Sequence, residues 1–247
     1  GLPQKDALIE RLSVLPGMTS ISYNINTERT NVILGKHTEC IWGMPYITDY
    51  IHLRNTNDFS VKDTAIAYHI SPQSFYQVNP VQTKNLYEKA ISMAGLTGNE
   101  RVMDAYCGIG TIGLIASRNA KEVISVELNP DAVRDAVTNA KRNGIKNVSF
   151  YQNDAGAFMV SMAEKGEKAD VVFMDPPRAG SDEAFLSSVV MLAPEKIVYI
   201  SCNPETLARD LRYLTKHGYR AEEAWGYDMF AWSEHVETVC LLSRKAQ

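Results

Sequence analysis

The chain has 247 residues, of which 45% are hydrophobic and 22% charged, and these ordinary globular values exclude a chain that is disordered throughout. The formal net charge of −4 gives no electrostatic indication of a nucleic-acid partner, which is usually a basic domain or stripe. No apolar run approaches the roughly 18 residues of a membrane span and no signal-peptide pattern opens the sequence, so we expect a cytoplasmic protein.

Residues 1–74 are predicted to form a smaller β-rich domain. A short helix at 6–12 comes first, and turn residues separate the β-rich pieces that follow it, which lie at 20–26, 31–35, 40–53 and 64–70. A helix at 83–95 then opens a second predicted domain, residues 75–247. The first residue is Gly rather than Met, so we expect a fragment.

From Arg101 onward, predicted strands and helices alternate. The strands lie at 101–107, 122–128, 148–154, 169–178 and 196–203, and the helices between and after them at 111–120, 131–144, 155–165, 182–192 and 204–218. Repeated β–α units predict an α/β fold whose parallel sheet has helices on both faces. The last two segments, 219–230 and 235–244, have no helix between them and predict a C-terminal antiparallel hairpin. This combination resembles the Rossmann-like class I methyltransferase sheet.

A glycine-rich turn follows the first predicted strand of this part. Gly108 and Gly110 allow a tight turn and a close approach of the backbone to a ligand. Glu127 ends the next strand, where a carboxylate can accept both hydrogen bonds of a ribose diol. Together they favour a cofactor of the adenosine type. Asp154, at the end of the third strand, is either an adenine contact or the N-cap of the following helix.

Two further motifs follow strands. In DPPR (175–178) two prolines stiffen the chain after Asp175, which is predicted to face the cleft, or the motif is simply a turn. A DPP motif followed by an aromatic residue is typical of amino-group methyltransferases, in which the aromatic ring stacks on the target base. Arg178 stands in that position here, so an amino-group methyltransferase would lack its stacking platform. Cys202 lies between the fifth strand and a helix, whose N-terminus is expected to stabilise a thiolate.

We interpret Cys40, Cys107 and Cys240 as inert thiols. The four cysteines are far apart, which argues against a zinc site or a disulfide framework, and we expect no metal in this chain.

Six ordered motifs, SFYQVNP, DAYCGIG, VEL, DPPR, SCNPETLARDL and DMF…HVE, resemble those of the RNA uracil-5-methyltransferase family. The resemblance implies S-adenosylmethionine as the cofactor. It places cofactor-binding roles on Gln77, Tyr106, Thr111, Glu127, Asp154 and Asp175. It implies that Cys202 is the nucleophile that adds to C6 of uracil and that Glu237 is the base that removes the C5 proton.

The resemblance also implies RNA as the partner, with 23S ribosomal RNA favoured over tRNA and a flipped, single-stranded uridine as the target. Two features depart from the family pattern. The stretch FAWSEHVE stands where members often have F-P-x-T-x-H-x-E, and we expect that this fragment lacks the amino-terminal OB-like domain that members often carry. We therefore expect this chain to bind cofactor but to hold RNA poorly. The alternatives are an amino-group methyltransferase and a catalytically silent cofactor- or RNA-binding module.

Overall fold

The computed structural model describes residues 2–29, 33–35, 37–53 and 64–245. Its elements in chain order are α1 (Lys5–Ser13), β1 (Ser20–Ile25), β2 (His37–Gly43), β3 (Ile47–Leu53), β4 (Thr64–Ile70), α2 (Pro80–Ala94), β5 (Arg101–Ala105), α3 (Thr111–Ala116), a 3₁₀ turn (Ser117–Asn119), β6 (Glu122–Glu127), α4 (Pro130–Arg142), β7 (Val148–Gln152), α5 (Ala155–Glu164), β8 (Val171–Met174), α6 (Glu183–Leu192), β9 (Lys196–Ser201), α7 (Pro204–Lys216), β10 (Tyr219–Tyr227) and β11 (Glu237–Arg244). None of the described helices is long and apolar enough to cross a bilayer.

Seven strands form one mixed sheet in the order β10-β11-β9-β8-β5-β6-β7. The pairs β8–β9, β5–β8, β5–β6 and β6–β7 are parallel, whereas β11 runs antiparallel to both β9 and β10. This confirms the Rossmann-like methyltransferase sheet and its C-terminal antiparallel hairpin. The strand order reverses between β5 and β8, because β6 and β7 lie on one side of β5 and β8 and β9 on the other. Ligands of open α/β sheets bind at the carboxyl ends of the strands at such a reversal point.

Alternate residues of each central strand enter two separate cores, because successive strand side chains point to opposite faces. On β5, Val102 packs into one core and Met103 into the other. The first core includes buried residues of α2, α3 and α4, and the second includes those of α5, α6 and α7. Burial on both faces is what gives these strands their continuous apolar character in the sequence.

The ribbon formed by β3 and β4 packs into the first of these cores and is joined to α4 by two side-chain amides. Asn139 Oδ1 accepts from the His69 amide at 2.7 Å, and its Nδ2 donates to the His69 carbonyl at 3.2 Å. Asn143 repeats the arrangement on Ala67 at 3.0 and 2.8 Å. The two asparagines thus satisfy backbone groups of β4 as a neighbouring strand would. The predicted domain boundary after residue 74 falls in the connection between β4 and α2.

The antiparallel β1–β2 and β3–β4 pairs confirm small strand elements ahead of the main sheet. The predicted piece 40–53 is two strands, because Gly43, at φ 77°, and Pro45 interrupt it. In the predicted piece 31–35, residues 31 and 32 lie outside the described residues. Residues 33–35 are not a strand, since Gly35 donates to and accepts from the Asn24 side chain instead. Helix α2 begins three residues before its predicted start, with Asn79 as N-cap.

Candidate active site

The glycine turn after β5 is held open by backbone conformations that favour glycine. Gly108 has φ 55° and Gly110 has φ 84°, and a Cβ added at Gly108 would meet no atom within 4 Å. Tyr106, directly after β5, adopts φ 66° despite its side chain. The backbone at Gly108 is therefore accessible to a ligand at the carboxyl end of the central strand.

Glu127 ends β6 and supports this turn directly. Its Oε2 accepts from the Gly108 amide at 3.0 Å, and its Oε1 accepts from the Asn129 amide at 2.8 Å. Each carboxylate oxygen keeps a further lone pair for a ligand hydroxyl. Asp154 is the N-cap of α5, where its Oδ1 accepts from the Ala157 amide at 2.9 Å. The N-cap interpretation of Asp154 is thus confirmed, and its contact with adenine stays a prediction.

Asp104 lies beneath the turn and is completely buried. Its Oδ2 accepts from the Gly113 amide at 2.8 Å, while Oδ1 has no partner. Burial raises the pKa of Asp104 to about 7, although the Gly113 amide lowers it. A Cβ at Gly113 would lie 2.6 Å from Ser125 Oγ and 2.8 Å from Asp104 Oδ2, so α3 packs on this carboxyl group without room for a side chain.

This raised pKa predicts a pH-dependent stability. The folded protein holds the Asp104 proton up to about pH 7, whereas the unfolded chain releases it near the ordinary aspartate pKa of 3.8. The free energy of unfolding should therefore fall as pH rises between those two values. Asp104→Asn keeps an acceptor for Gly113 and removes the titration. We expect the unfolding free energy of this variant to decline less steeply over that range. The slopes of the two proteins should differ by up to about 1.4 kcal/mol per pH unit, the contribution of one titrating group. Urea titrations at several pH values measure this, and parallel slopes in the two proteins would contradict it.

Asp175 follows β8 at the reversal point of the sheet. Burial raises its pKa to about 8, and the negative charges of Glu237 and Asp104 add to the effect. No described residue forms a hydrogen bond with its carboxyl group. Asp175 is therefore a partly buried carboxyl group without a partner among the described residues, and its orientation toward the cleft stays a prediction.

Cys202 follows β9 on the other side of Asp175 and is half-buried. The pKa of its thiol is raised, first by burial and then by the negative charge of Glu237, against a lowering by Arg178. In the ligand-free chain, burial and the neighbouring carboxylates therefore outweigh the stabilisation of a thiolate that is expected from the helix N-terminus. Pro204 provides no amide hydrogen, and Asn203 Oδ1 already accepts from the Glu205 amide at 3.0 Å.

Glu237 begins β11 and is buried. Its neighbour Thr238 pairs with Ser201, which directly precedes Cys202, so the antiparallel register brings the carboxylate to the thiol. Burial raises the pKa of Glu237, and the Arg178 charge opposes the rise. A carboxyl group with a raised pKa beside a potential nucleophile is suited to take up a proton during catalysis.

Arg178 connects these groups, a role that the sequence analysis did not assign to it. Its Nη2 lies 2.7 Å from His235 Nδ1 and 3.2 Å from Nε2. Its carbonyl accepts from Asn203 Nδ2 at 3.3 Å and from Thr206 Oγ1 at 3.2 Å. The DPPR loop is thus attached to both the start of α7 and the loop before Glu237.

The structure brings Cys202, Glu237 and Asp175 together, and it places Glu127, at the end of β6, against the neighbouring glycine turn. Thr111 is buried at the start of α3, and its carbonyl accepts from Tyr68 Oη at 3.2 Å. Burial raises the pKa of Tyr106 to about 12, and its ring packs on Phe185 with centroids 5.3 Å apart. These two residues flank the turn, and their contacts with a cofactor stay predictions.

Gln77 faces a different part of the molecule. It lines a cleft of about 770 Å³ between the β1 and β3 region and the connection that precedes α2. Its Oε1 is buried without a hydrogen-bond partner. Gln77 is therefore an orphaned acceptor that a ligand donor would satisfy.

Comparison with known proteins identifies the family. A model of the tRNA (Uracil-5-)-methyltransferase family matches residues 46–245. The chain belongs to this family. It is 47% identical over 245 residues to an uncharacterised RNA methyltransferase of Halalkalibacterium halodurans, covering 99% of this chain and 51% of that protein. A second such protein, from Caldanaerobacter subterraneus subsp. tengcongensis, is 47% identical over 244 residues, covering 98% of this chain and 51% of its own length.

A solved structure of the same kind is also similar. The tRNA (uracil-54, C5)-methyltransferase of Pyrococcus abyssi, crystallised with S-adenosyl-L-homocysteine, superposes with a TM-score of 0.71 at 30% identity. The match covers 90% of this chain and 50% of that one. The chain thus spans about half the length of the family members it matches.

The loop at 230–236, which departs from the motif of this uracil-5-methyltransferase family, is held by local hydrogen bonds. Ser233 donates to the Phe230 carbonyl through its amide at 3.1 Å and through Oγ at 2.7 Å. The His235 amide donates to Ser233 Oγ at 3.2 Å. Despite the missing proline and threonine, the loop delivers Glu237 to Cys202. The described residues contain no cluster of three or more His, Cys, Asp or Glu side chains suited to a metal ion.

Proposed function

We propose that this chain carries the active site of an S-adenosylmethionine-dependent methyltransferase that acts on C5 of a uridine in RNA. The observation that carries the proposal is the grouping of Cys202, Glu237 and Arg178 at the carboxyl ends of the strands, beside the glycine turn. A nucleophile and a base that lie together match the two-step chemistry of C5 methylation. We also propose that residues 1–74 and 75–247 are its two domains.

The residues at the glycine turn fit this cofactor. Glu127 has free lone pairs for the ribose hydroxyls, and the open backbone at Gly108 permits close approach. Asp175 has no hydrogen-bond partner among the described residues, as a group that binds a ligand ammonium requires. Gln77 Oε1 is a buried acceptor without a partner, but it lines the separate cleft near β1 and β3, so its cofactor role rests on the family resemblance alone. The cofactor, when bound, supplies an electrophilic methyl group on a sulfonium.

The chain's own residues would prepare the uracil for that methyl group. The Cys202 thiolate adds to C6, which makes C5 electron-rich enough to accept the methyl. Glu237 then takes the C5 proton, and the electrons of that C–H bond re-form the C5–C6 double bond while the C6–S bond breaks. The ring is restored, Cys202 leaves as thiolate, and the proton remains on Glu237.

Arg178 would oppose the two carboxylates that disfavour this thiolate. Replacing it by alanine leaves Cys202 beside Glu237 and Asp175 without the cation, so the thiol should react several-fold more slowly with iodoacetamide at pH 8. Quantifying alkylation of the Cys202 peptide by mass spectrometry measures the effect. Arg212→Ala removes the same charge from an exposed position on α7 and serves as the control. Equal alkylation rates in both variants would refute a role for Arg178.

The proposal also covers the class of RNA that serves as the substrate. We propose 23S ribosomal RNA, the class that the overall resemblance favours, with tRNA as the alternative. The similar Pyrococcus abyssi structure supports tRNA, because that protein is a tRNA (uracil-54, C5)-methyltransferase. Hypomodified ribosomal RNA and tRNA, each incubated with labelled methyl donor and digested to nucleosides, decide between them. Labelled 5-methyluridine from only one RNA identifies the substrate, and its absence from both contradicts the proposed function.

The second candidate is an amino-group methyltransferase that uses DPPR as its acceptor shelf. The exposed Arg178, in place of an aromatic residue, leaves no stacking platform there. The same nucleoside digest tests this candidate, since it would place the label on an exocyclic amino group. Such a product would also leave Cys202 without a role.

A further inference from the structure

Trp232 is an aromatic side chain that no described residue contacts. It is fully exposed, and its backbone adopts φ 69°, which a residue with a side chain rarely does. The turn around it is closed by the hydrogen bonds of Ser233 to the Phe230 carbonyl. Such a conformation is unfavourable for a residue with a side chain and persists where the surroundings impose it. The loop thus presents an indole ring to the outside in a defined place.

One end of this loop is held by the start of α2, and the other end is attached to the site. On one side, Asn79 Nδ2 donates to the carbonyl of buried Met229 at 3.2 Å. On the other side, His235 contacts Arg178 at 2.7 Å, and Glu237 follows two residues later. Trp232 therefore lies at the rim of the grouping that contains Cys202.

The other exposed tryptophan provides a contrast. Trp225 on β10 donates from Nε1 to Glu223 at 2.8 Å, and Lys89 Nζ lies 4.3 Å from its ring centroid. Its half-exposed ring already has partners within the chain. Trp232 has none among the described residues, so its ring is the one available for an external ligand.

We propose that Trp232 is a stacking platform for an unpaired nucleobase of the RNA strand that enters the active site. The inference rests on the proposed function, since it assumes that RNA approaches Cys202. Stacking on an aromatic ring suits any base, because every base has a π-face. The exposed Glu234 carboxylate, two residues along the loop, disfavours a phosphate there, whereas the exposed Arg178 guanidinium favours one on the inner side. The charges therefore support a base, rather than the sugar–phosphate backbone, on Trp232.

The test is the affinity of the full-length protein for a fluorescein-labelled, single-stranded uridine 12-mer. Trp232→Ala should weaken binding about 5- to 150-fold, which corresponds to 1–3 kcal/mol per stacked base. Trp232→Phe should retain most of the affinity, and the matched control Trp225→Ala should leave it unchanged. Tryptophan emission should be quenched by the RNA in the parent protein and less in Trp232→Phe.

Equal affinities of Trp232→Ala and Trp225→Ala would overturn the proposal. A change in oligomeric mass of Trp232→Ala with unchanged RNA affinity would also overturn it, since a second protein copy would then cover the ring. Methyl transfer gives a separate readout. A raised KM with unchanged kcat for Trp232→Ala supports stacking in catalysis. A parent protein that forms no 5-methyluridine on either RNA class, yet depends on Trp232 for RNA affinity, refutes the proposed function and leaves the stacking site standing.

Discussion

Replacing Cys202 by alanine should abolish methyl transfer to uridine while leaving cofactor binding intact. Without a thiolate to add at C6, C5 of uracil is not nucleophilic enough to take the methyl group. Removing a nucleophile costs on the order of 10⁴–10⁶-fold in kcat. Glu127 and the glycine turn do not depend on Cys202, so the affinity for S-adenosylhomocysteine should not change. Labelled methyl incorporation and calorimetric titration measure the two quantities.

Cys40→Ala is the matched control for this variant. Cys40 is also a half-buried free thiol, but it lies in β2, and its Sγ donates to the Trp42 carbonyl at 3.4 Å. Its loss should leave methyl transfer near the parent rate. If Cys202→Ala retained substantial uridine methylation, the covalent mechanism would be refuted.

Replacing Glu237 by glutamine should stop the reaction one step later. The side chain keeps its shape but cannot take the C5 proton, so turnover should fall about 10²–10⁴-fold. Methylated RNA should remain bonded to Cys202 and migrate with the protein on a denaturing gel. Glu237 is also a cause of the raised thiol pKa, so the pKa of Cys202 should fall and free Cys202 should alkylate faster in this variant.

Glu234→Gln provides the control for Glu237. Glu234 is an exposed carboxylate on the same loop, and its substitution should neither trap RNA nor change thiol reactivity. Release of free 5-methyluridine-containing RNA by Glu237→Gln at the parent rate would show that another group is the base.

The sheet could be predicted from the sequence because its strands are buried on both faces and alternate with capped helices. The helices at 155–164 and 183–192 illustrate this, since Asp154 and Asp182 cap them as their positions suggest. The β-rich first part was less predictable. The piece 40–53 reads as one strand because its apolar residues continue through a turn, and the attachment of β4 to α4 through Asn139 joins residues 70 positions apart.

At the candidate site, the sequence indicated Cys202 through its place at a strand end, a local signal. It did not indicate which charged groups surround the thiol, because these groups come from loops that are distant in the sequence. Arg178 and His235 are 57 residues apart and meet only because β11 inserts between β9 and β10. An arginine after two prolines carries no local sign of that contact. The same long-range register buries Glu237 against Cys202 and reverses the expected direction of the thiol pKa.

The most direct test of the central claim is to react the full-length protein with cofactor and RNA in which 5-fluorouridine replaces uridine. Fluorine at C5 cannot be removed as a proton, so elimination fails and the adduct persists. Tandem mass spectrometry should find the nucleotide, with one added methyl group, on the Cys202 side chain. Unmodified Cys202 in a protein that methylates the unsubstituted RNA of the same sequence would contradict the account.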